Sequence, residues 1–331
     1  MKFKRFAVLG SNSFAGAAFV ARAVADGAEV IGFNRSLESS SIFLPYRNVK
    51  SGGSYTFVQA NINHDLDAIL GRLDIFRPQV VVDFAGQGMV AESWQNPAQW
   101  YNTNIVAKVK LHDQLRRRDW MQRYVRISTP EVYGSQESLL QETWQYNPST
   151  PYAVSHAAVD QSLRAFHQQY DFPVLFTRFA NFYGPGQQLY RIVPRTIIYA
   201  LLGKKLQLQG GGTSVRAFIS GVDVADAVMR SIDFGVVGEA YHFSPERFLT
   251  IRQVIEIICS RMGIDFEELV EIAPDRPGKD QAYLMDSRKA RRELDWQESI
   301  TFEEGVDATV GWVKDSFDEI SSLPLNYIHK I

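Results

Sequence analysis

The sequence predicts an α/β protein in which a doubly wound parallel (Rossmann) sheet carries a smaller, mixed α/β substrate-binding domain. Three observations indicate this class. Short apolar runs alternate with longer helical patterns as far as Gly184, a turn of small residues follows the first run, and the segments beyond Gly184 are shorter and more mixed. Unbroken apolar runs are typical of parallel strands buried on both faces, and the helices between them serve as crossovers.

The elements follow in order along the chain. Phe6–Gly10 is an apolar run without polar interruption and predicts the first strand. The helical pattern Ala17–Gly27 ends at a glycine, a common helix C-terminus, and Glu29–Phe33 predicts a second buried strand. The later predictions are strands at Tyr55–Gln59, Val80–Phe84, Tyr124–Ser128 and Val174–Arg178, and helices around Asp65–Phe76, Trp100–Arg118 and Pro151–Tyr170. Right-handed crossovers then produce a doubly wound sheet, which binds ligands at the carboxyl ends of its strands.

The two predicted domains interleave along the chain. Residues 1–184 and about 217–243 are assigned to the dinucleotide-binding sheet. Residues about 185–216 and 244–331 are assigned to the smaller domain that covers it.

The composition excludes several classes of function. The 331 residues include 35 Lys and Arg against 37 Asp and Glu, and this charge of −2 disfavours a dedicated nucleic-acid-binding protein. No apolar run reaches the ~18 residues of a membrane span, and no signal-peptide cleavage pattern follows the N-terminal residues. The one cysteine, Cys259, excludes an internal disulfide and lies in an apolar helical stretch typical of a core. The histidines show no metal-ligand spacing, so we expect a cytoplasmic protein with no metal and no membrane partner.

The turn Gly10–Gly16 follows a strand and opens a helix, which is the context in which a glycine motif indicates a dinucleotide site. Gly10 permits the tight turn, and Gly16 permits close packing of the helix on the strand. Ser13 stands where the usual pattern has its middle glycine. The free N–H groups of the helix N-terminus suit a pyrophosphate, although a plain strand–helix turn would show the same pattern.

The second strand ends at Asn34 and Arg35 instead of at the carboxylate that typically holds both ribose hydroxyls of NAD. Asn34 does not repel a 2′-phosphate and Arg35 attracts one, so the residues leave NAD and NADP both open. A tightly bound, recycled cofactor is expected to contact Gly10, Ser13, Phe14, Gly16, Asn34, Arg35, Asn61, Ile62, Ala85, Gly86, Gln87, Asn104, Tyr152 and His156.

Three further stretches carry catalytic residue types: Ile127–Gly134 at a strand end, Pro151–His156 entering a helix, and Asn181–Gly186. Together with the glycine turn they resemble the extended short-chain dehydrogenase/reductase family. Members of that family have a Gly-rich turn, a Ser or Thr before Val-Tyr-Gly, and a Tyr-x-x-x-Lys.

The resemblance extends through the rest of the chain. Gly212–Ile219 is similar to the segment that carries the family's nucleotide-sugar arginine. Asp275–Asp280, followed by Leu294–Trp296, resembles the dTDP-glucose 4,6-dehydratase branch of the NAD-dependent epimerases and dehydratases.

The resemblance implies a chemistry for four catalytic residues. A tyrosinate at Tyr152 takes the proton of the C4 hydroxyl of a sugar while hydride leaves for nicotinamide, and Thr129 hydrogen-bonds the same hydroxyl. Glu131 stands where the C5 base of the dehydratases is expected. His156 lies at i+4 from Tyr152 on one helix face, where it is expected to hold the nicotinamide ribose and to tune Tyr152.

Two positions depart from the family pattern. His156 replaces the lysine, and a histidine with a pKa near 6.5 is mostly neutral at pH 7. Pro130 replaces the aspartate that protonates the departing C6 hydroxyl. Another group, Tyr133 or His112, or water must serve instead, or the product is different.

The substrate implied is a nucleotide-diphosphate sugar. Arginines suit its diphosphate through bidentate contacts, and the residues expected to bind the substrate are Asn181, Arg191, Arg216, Arg276 and Lys279. The resemblance also implies a homodimer in which the helices at Trp100–Arg118 and Pro151–Tyr170 form a four-helix bundle with those of a second copy.

The function predicted is that of an NAD(P)-dependent lyase, a 4,6-dehydratase-like enzyme that proceeds through a 4-keto intermediate. Three alternatives stay open. A nucleotide-sugar epimerase needs only the Tyr and the Thr, and a UDP-glucuronate-type decarboxylase also lacks the aspartate. A catalytically weakened sugar-nucleotide-binding protein is the third, motivated by the loss of both the lysine and the aspartate.

Overall fold

The computed structural model describes residues 1–50, 52–274 and 282–330. The strands are Arg5–Leu9 (β1), Glu29–Asn34 (β2), Ser54–Gln59 (β3), Val80–Asp83 (β4), Arg123–Ser128 (β5), Val174–Phe179 (β6), Asn181–Tyr183 (β7), Leu206–Gln209 (β8), Val215–Arg216 (β9), Phe218–Ser220 (β10), Ala240–Phe243 (β11), Leu249–Thr250 (β12) and Val270–Ala273 (β13). The α-helices are Phe14–Ala25 (α1), Leu66–Phe76 (α2), Val90–Ser93 (α3), Pro97–Tyr101 (α4), Lys108–Leu115 (α5), Pro151–Tyr170 (α6), Ile192–Leu201 (α7), Gly221–Phe234 (α8), Ile251–Met262 (α9), Phe266–Leu269 (α10), Arg288–Leu294 (α11), Phe302–Asp315 (α12) and Phe317–Ile320 (α13). Short 3-10 turns lie at Ser41–Phe43, Pro45–Asn48, Pro130–Tyr133 and Gly210–Gly212, and a π-helical segment lies at Asn102–Ala107.

Seven parallel strands form the main sheet, in the spatial order β3-β2-β1-β4-β5-β6-β11. The chain runs outward from β1 through β2 to β3 and then returns to place β4 on the other side of β1. This reversal opens a crevice at the carboxyl ends of β1 and β4, where doubly wound sheets bind their ligands. Apolar side chains cover both faces of the sheet, which confirms the predicted doubly wound Rossmann fold.

The strands predicted from the apolar runs lie within one residue of those in the structure, and α6 has the predicted bounds. The helix predicted at Trp100–Arg118 differs. It begins at Pro97, passes through the π-helical segment and ends at Leu115. The wider π turn buries Thr103, Asn104 and Ala107 against the interior, and such turns occur frequently at functional sites.

A separate apolar core lies beyond the main sheet, where α7, α9 and α12 pack together around Val193, Ile197, Val254, Ile258 and Val306. Cys259 is 2% exposed beside this core, so its predicted core position is confirmed. The exact division of the chain into two domains stays a prediction. No helix in the described part of the chain is long and apolar enough to cross a membrane.

Candidate active site

A cleft of about 490 Å³ opens at the switch point of the sheet. Its walls include the turn after β1, the ends of β2 and β4, and residues 323–330 near the end of the chain. Most of the residues predicted to contact the cofactor line it, namely Gly10, Ser13, Phe14, Asn34, Arg35, Asn61, Ile62, Ala85 and Gly86.

The glycine turn has the shape that a pyrophosphate requires. Gly10 has a φ of +76°, and a Cβ there would lie 2.7 Å from the nitrogen of Ala85. A Cβ on Gly16 would collide with the carbonyl oxygen of Gly10, so neither glycine tolerates a side chain without movement. Ser13 accepts a hydrogen bond from the N–H of Gly16 through its Oγ and caps α1, which leaves its own O–H proton for a ligand. The turn therefore fits the diphosphate of a dinucleotide.

The end of β2 carries no carboxylate. Asn34 donates from Nδ2 to the carbonyl oxygen of Ser36 at 3.0 Å. Arg35 donates from Nη1 to the carbonyl oxygen of Lys330 at 3.0 Å, and Gln87 donates to the same oxygen at 2.8 Å. Residues 323–330 thus close one side of the cleft, which no pattern in the sequence had indicated.

Asn104 lies behind the cleft wall and ties the loop after β4 to α6. Its Oδ1 accepts from the backbone N–H of Gln87 at 2.7 Å, and its Nδ2 donates to Ser155 Oγ at 3.0 Å. The amide also donates to the carbonyl oxygen of Gln87. With 1% exposure and these three bonds, Asn104 holds the loop in place.

Tyr152 and His156 lie on one face of the first turns of α6, as their spacing predicted, with ring centroids 4.5 Å apart. Thr150 caps this helix by accepting from the N–H of Ala153, and Pro151 occupies the first helical position. The carboxyl end of β5 brings Thr129 to the same place, close enough for its side chain to act on the pKa of Tyr152.

The charges around Tyr152 oppose one another. Burial, and after it the negative charge of Glu131, raise the pKa of Tyr152 above its usual range. The hydrogen bond with Thr129 and the positive charges of Arg191 and Arg126 act against that rise. Glu131 and Arg191 therefore both lie within electrostatic reach of Tyr152.

The surroundings of His156 favour its neutral form. Burial, and after it the positive charges of Arg126 and Lys108, lower the pKa of His156 well below its usual range. The neutral ring cannot supply the positive charge that a lysine would bring to Tyr152. Another cation must therefore lower the pKa of Tyr152.

The groups suggested to replace the missing acid are engaged elsewhere. Pro130 is buried as the first residue of the 3-10 turn after Thr129. Tyr133 Oη is 2.8 Å from His242 Nε2 inside the protein. His112 is fully buried with Nε2 2.8 Å from Tyr124 Oη, and burial lowers its pKa to about 3. Neither side chain is available to protonate a leaving hydroxyl.

The predicted substrate residues are spread over the second half of the chain. Asn181 is exposed at the start of β7, and Arg191 precedes α7. Arg216 lies on β9 with its guanidinium 4.3 Å from the ring centre of Tyr283. Arg276 and Lys279 lie outside the described residues. Within those residues, no cluster of His, Cys, Asp or Glu side chains has the geometry to hold a metal ion.

The sheet, the glycine turn and the Thr129–Tyr152 pair define a dinucleotide-binding enzyme of the short-chain dehydrogenase/reductase class. A family model described as GDP-mannose 4,6 dehydratase matches residues 8–309. The chain therefore belongs to this family, within the extended NAD-dependent epimerases and dehydratases.

Individual relatives agree with this assignment. The dTDP-glucose 4,6-dehydratase of Xanthomonas campestris pv. campestris (strain B100) is 31% identical over 324 residues, covering 92% of each chain. DesIV, a dTDP-glucose 4,6-dehydratase from Streptomyces venezuelae solved with NAD bound, is 29% identical with a TM-score of 0.85, covering 95% of this chain and 98% of that one. The UDP-glucose 4-epimerase of Thermotoga maritima has the same fold, with a TM-score of 0.85 at 24% identity over 95% of this chain and 99% of its own. The predicted membership of the dTDP-glucose dehydratase-like group is confirmed.

Proposed function

We propose that this protein is a 4,6-dehydratase of a nucleotide-diphosphate sugar and that it uses an NAD-type cofactor. The observation that carries this proposal is the grouping of Thr129, Glu131 and Tyr152 beside the dinucleotide cleft. Arg191 connects the two regions, because its charge acts both on Tyr152 and on Tyr327 in the cleft wall. The relatives named dTDP-glucose 4,6-dehydratase, alike over nearly their whole length, support the same substrate class.

The residues of the cleft fit the cofactor. The turn Gly10–Phe14 would hold the diphosphate, Asn34 and Arg35 the adenosine ribose, and His156 the nicotinamide ribose. When bound, a nicotinamide there would supply the hydride acceptor for C4 of the sugar and the hydride donor for C6.

Tyr152 and Thr129 handle the C4 hydroxyl. The tyrosinate takes the hydroxyl proton as the C4–H bond breaks, and Thr129 holds the oxygen by a hydrogen bond. A ketone at C4 acidifies the proton on C5. Glu131, at the same strand end, takes that proton.

Departure of the C6 hydroxyl needs a proton, and Pro130 cannot supply one. In our proposal Glu131, protonated by the C5 hydrogen, returns that proton to the departing hydroxyl, which leaves as water. The carbon–oxygen bond at C6 breaks as the C5–C6 double bond forms, so one carboxyl group serves as base and then as acid. Tyr152 then releases to solvent the proton that it took from the C4 hydroxyl, and Glu131 takes one proton from solvent and delivers it to C5, so that both residues end the cycle as they began it.

Pro130 also favours a second candidate. A nucleotide-sugar 4-epimerase oxidises and re-reduces C4 through Tyr152 and Thr129 and needs no acid at C6. Such an enzyme would leave Glu131 without a chemical task.

Incubation of the purified protein with a panel of nucleotide hexoses and hexuronates, followed by mass spectrometry, separates these functions. Loss of one water from a hexose is the expected result. An unchanged mass with inverted configuration indicates the epimerase, and loss of carbon dioxide from a hexuronate indicates the decarboxylase. Tight binding without turnover indicates a sugar-nucleotide-binding protein and would overturn the enzyme assignment.

We also propose that the protein forms a homodimer through a four-helix bundle. Exposed apolar side chains lie on the segments predicted to pair, namely Val106, Val154 and Tyr170, with 46%, 38% and 48% exposure. Sedimentation of the wild type and of Val154→Glu tests this, since a charge buried in the proposed interface should yield monomers. The buried free thiol of Cys259 suits the reducing cytoplasm, which we propose as its location.

A further inference from the structure

The ring of His156 contacts a guanidinium group. Its Nδ1 lies 3.0 Å from Nη2 of Arg126. Because a guanidinium has only N–H donors, Arg126 donates and Nδ1 accepts. The second ring nitrogen, Nε2, must then carry the proton of the neutral imidazole, so its N–H is a donor for whatever binds beside Tyr152.

Arg126 is held in one orientation by a carboxylate on the helix that carries His156. It lies on β5 and is 1% exposed. Its Nε donates to Oδ1 of Asp160 at 3.1 Å, one helical turn after His156. Ser128 donates from Oγ to the other carboxylate oxygen of Asp160 at 2.6 Å, and Arg178 donates to it at 3.2 Å. The planar group of Arg126 is therefore fixed between two side chains of α6.

The buried charges behind His156 have an excess of one positive charge. Three cationic side chains, Lys108, Arg126 and Arg178, face two carboxylates, Asp83 and Asp160. Burial lowers the pKa of Lys108 to about 8, against the opposing charge of Asp83, so the ammonium form still prevails at pH 7.

Besides Arg126, the charges that act on Tyr152 are the negative charge of Glu131 and the positive charge of Arg191. Arg126 adds a positive charge from the buried side. Because the charge of a guanidinium persists over the whole working range of pH, this contribution does not titrate.

We propose that Arg126 is a positioning residue for the reaction: it holds His156 in the Nε2–H form and supplies from behind the positive charge that a lysine at position 156 would place beside Tyr152. The kinetic consequences of this proposal rest on the proposed function. The protonation state predicted for His156 does not. In this enzyme the two tasks of the family's lysine, donation of a hydrogen bond and provision of charge, are divided between a neutral histidine and a buried arginine.

The state of His156 can be measured without any substrate. Nitrogen-15 NMR of histidine side chains, with the His156 signals assigned by their absence in His156→Gln, distinguishes the two neutral forms and the imidazolium. We expect the Nε2–H form throughout about pH 6 to 8. An imidazolium or an Nδ1–H form at pH 7 would overturn the proposal, whatever the protein does with sugars.

The charge is tested by kinetics with Arg126→Gln and Arg126→Lys. Removal of the positive charge raises the pKa of Tyr152, so the acid limb of the kcat profile should move about one unit to higher pH, and kcat at pH 7 should fall about tenfold. Arg126→Lys keeps the positive charge and should restore most of the lost kcat and return the acid limb toward its wild-type position. Arg123→Gln, at a partly exposed position of the same strand, is the control and should match the wild type. A profile of Arg126→Gln that coincides with the wild type contradicts the proposal, and a purely structural role would lower the midpoint of unfolding without moving the profile.

A lysine at position 156 provides a second test. In His156→Lys the ammonium group meets the guanidinium of Arg126, and like charges in contact are unfavourable. We therefore expect His156→Lys to be less active than the wild type, and His156→Lys combined with Arg126→Gln to be more active than His156→Lys alone. A single variant that equals or exceeds the double variant shows that Arg126 does not act on this position.

Discussion

Lys108 and Asp83 form an ion pair in which both side chains are almost completely buried, with Nζ 2.6 Å from Oδ2. The same ammonium group donates to the carbonyl oxygen of Ala85 at 2.5 Å. Tyr124 donates a second hydrogen bond to the Asp83 carboxylate at 2.8 Å. Since Ala85 belongs to the wall of the cofactor cleft, the pair fixes the end of β4 where the ligand is expected to bind.

We predict that Lys108→Met lowers the free energy of unfolding by about 3–5 kcal/mol, because it leaves the carboxylate of Asp83 buried without its cation. Chemical denaturation measures the loss. Lys110→Met is the matched control: the residue is exposed on the same helix, and its replacement should change stability by at most about 0.5 kcal/mol. Similar losses for both variants would show that the buried pair contributes no more than a surface lysine.

Gly10→Ala should abolish tight cofactor binding. The new Cβ would lie 2.7 Å from the nitrogen of Ala85 at a positive φ, so the turn must open and lose the shape of the phosphate cradle. The measurement is the amount of nicotinamide dinucleotide that co-purifies with the protein. Gly71→Ala serves as the control, because a Cβ at this helical position meets no atom within 4 Å. Full cofactor content in Gly10→Ala would remove this turn from the binding site.

Tyr152→Phe should lower kcat by about 100-fold or more while cofactor content is unchanged, since only the proton-transferring oxygen is lost. In the wild type, burial and Glu131 raise the pKa of Tyr152, and the tyrosinate is the active form. Activity should accordingly rise with pH above neutrality and fall as Tyr152 is protonated at lower pH. Tyr170→Phe, at an exposed position of the same helix, should behave like the wild type. Wild-type turnover in Tyr152→Phe would mean that another group takes the C4 proton.

Deletion of residues from Leu323 onward should speed release of the cofactor. The deletion removes one wall of the cleft together with the Lys330 carbonyl that Arg35 and Gln87 contact. Stopped-flow fluorescence of the bound dinucleotide can follow release. Lys330→Ala keeps the backbone carbonyl and should retain the cofactor as the wild type does. Slower release after the deletion would show instead that the segment competes with the ligand.

Much of the site follows from local sequence. Short segments alone predict the strand end that carries Thr129 and Glu131. They also predict the helical spacing that places Tyr152 and His156 on one face, and the structure has both features. The hydrogen bond that orients the His156 ring was not foreseeable, because Arg126 on β5 is 30 residues away and resembles any strand residue in the sequence. For the same reason Tyr133 and His112 were plausible acids until the structure showed them buried with other partners.

The sequence by itself determined the parallel sheet, the dinucleotide turn and the order of the candidate catalytic residues. Each depends on periodicity, glycine geometry or helical spacing within a few neighbouring residues. Only the tertiary structure decided which charges stand behind Tyr152 and what closes the cofactor cleft. Arg35 and Lys330 are 295 residues apart, and no local pattern encodes a contact at that separation. Electrostatic effects depend on distance and burial in space, so the proposed division of the lysine's tasks between Arg126 and His156 can be read only when β5 and α6 pack together.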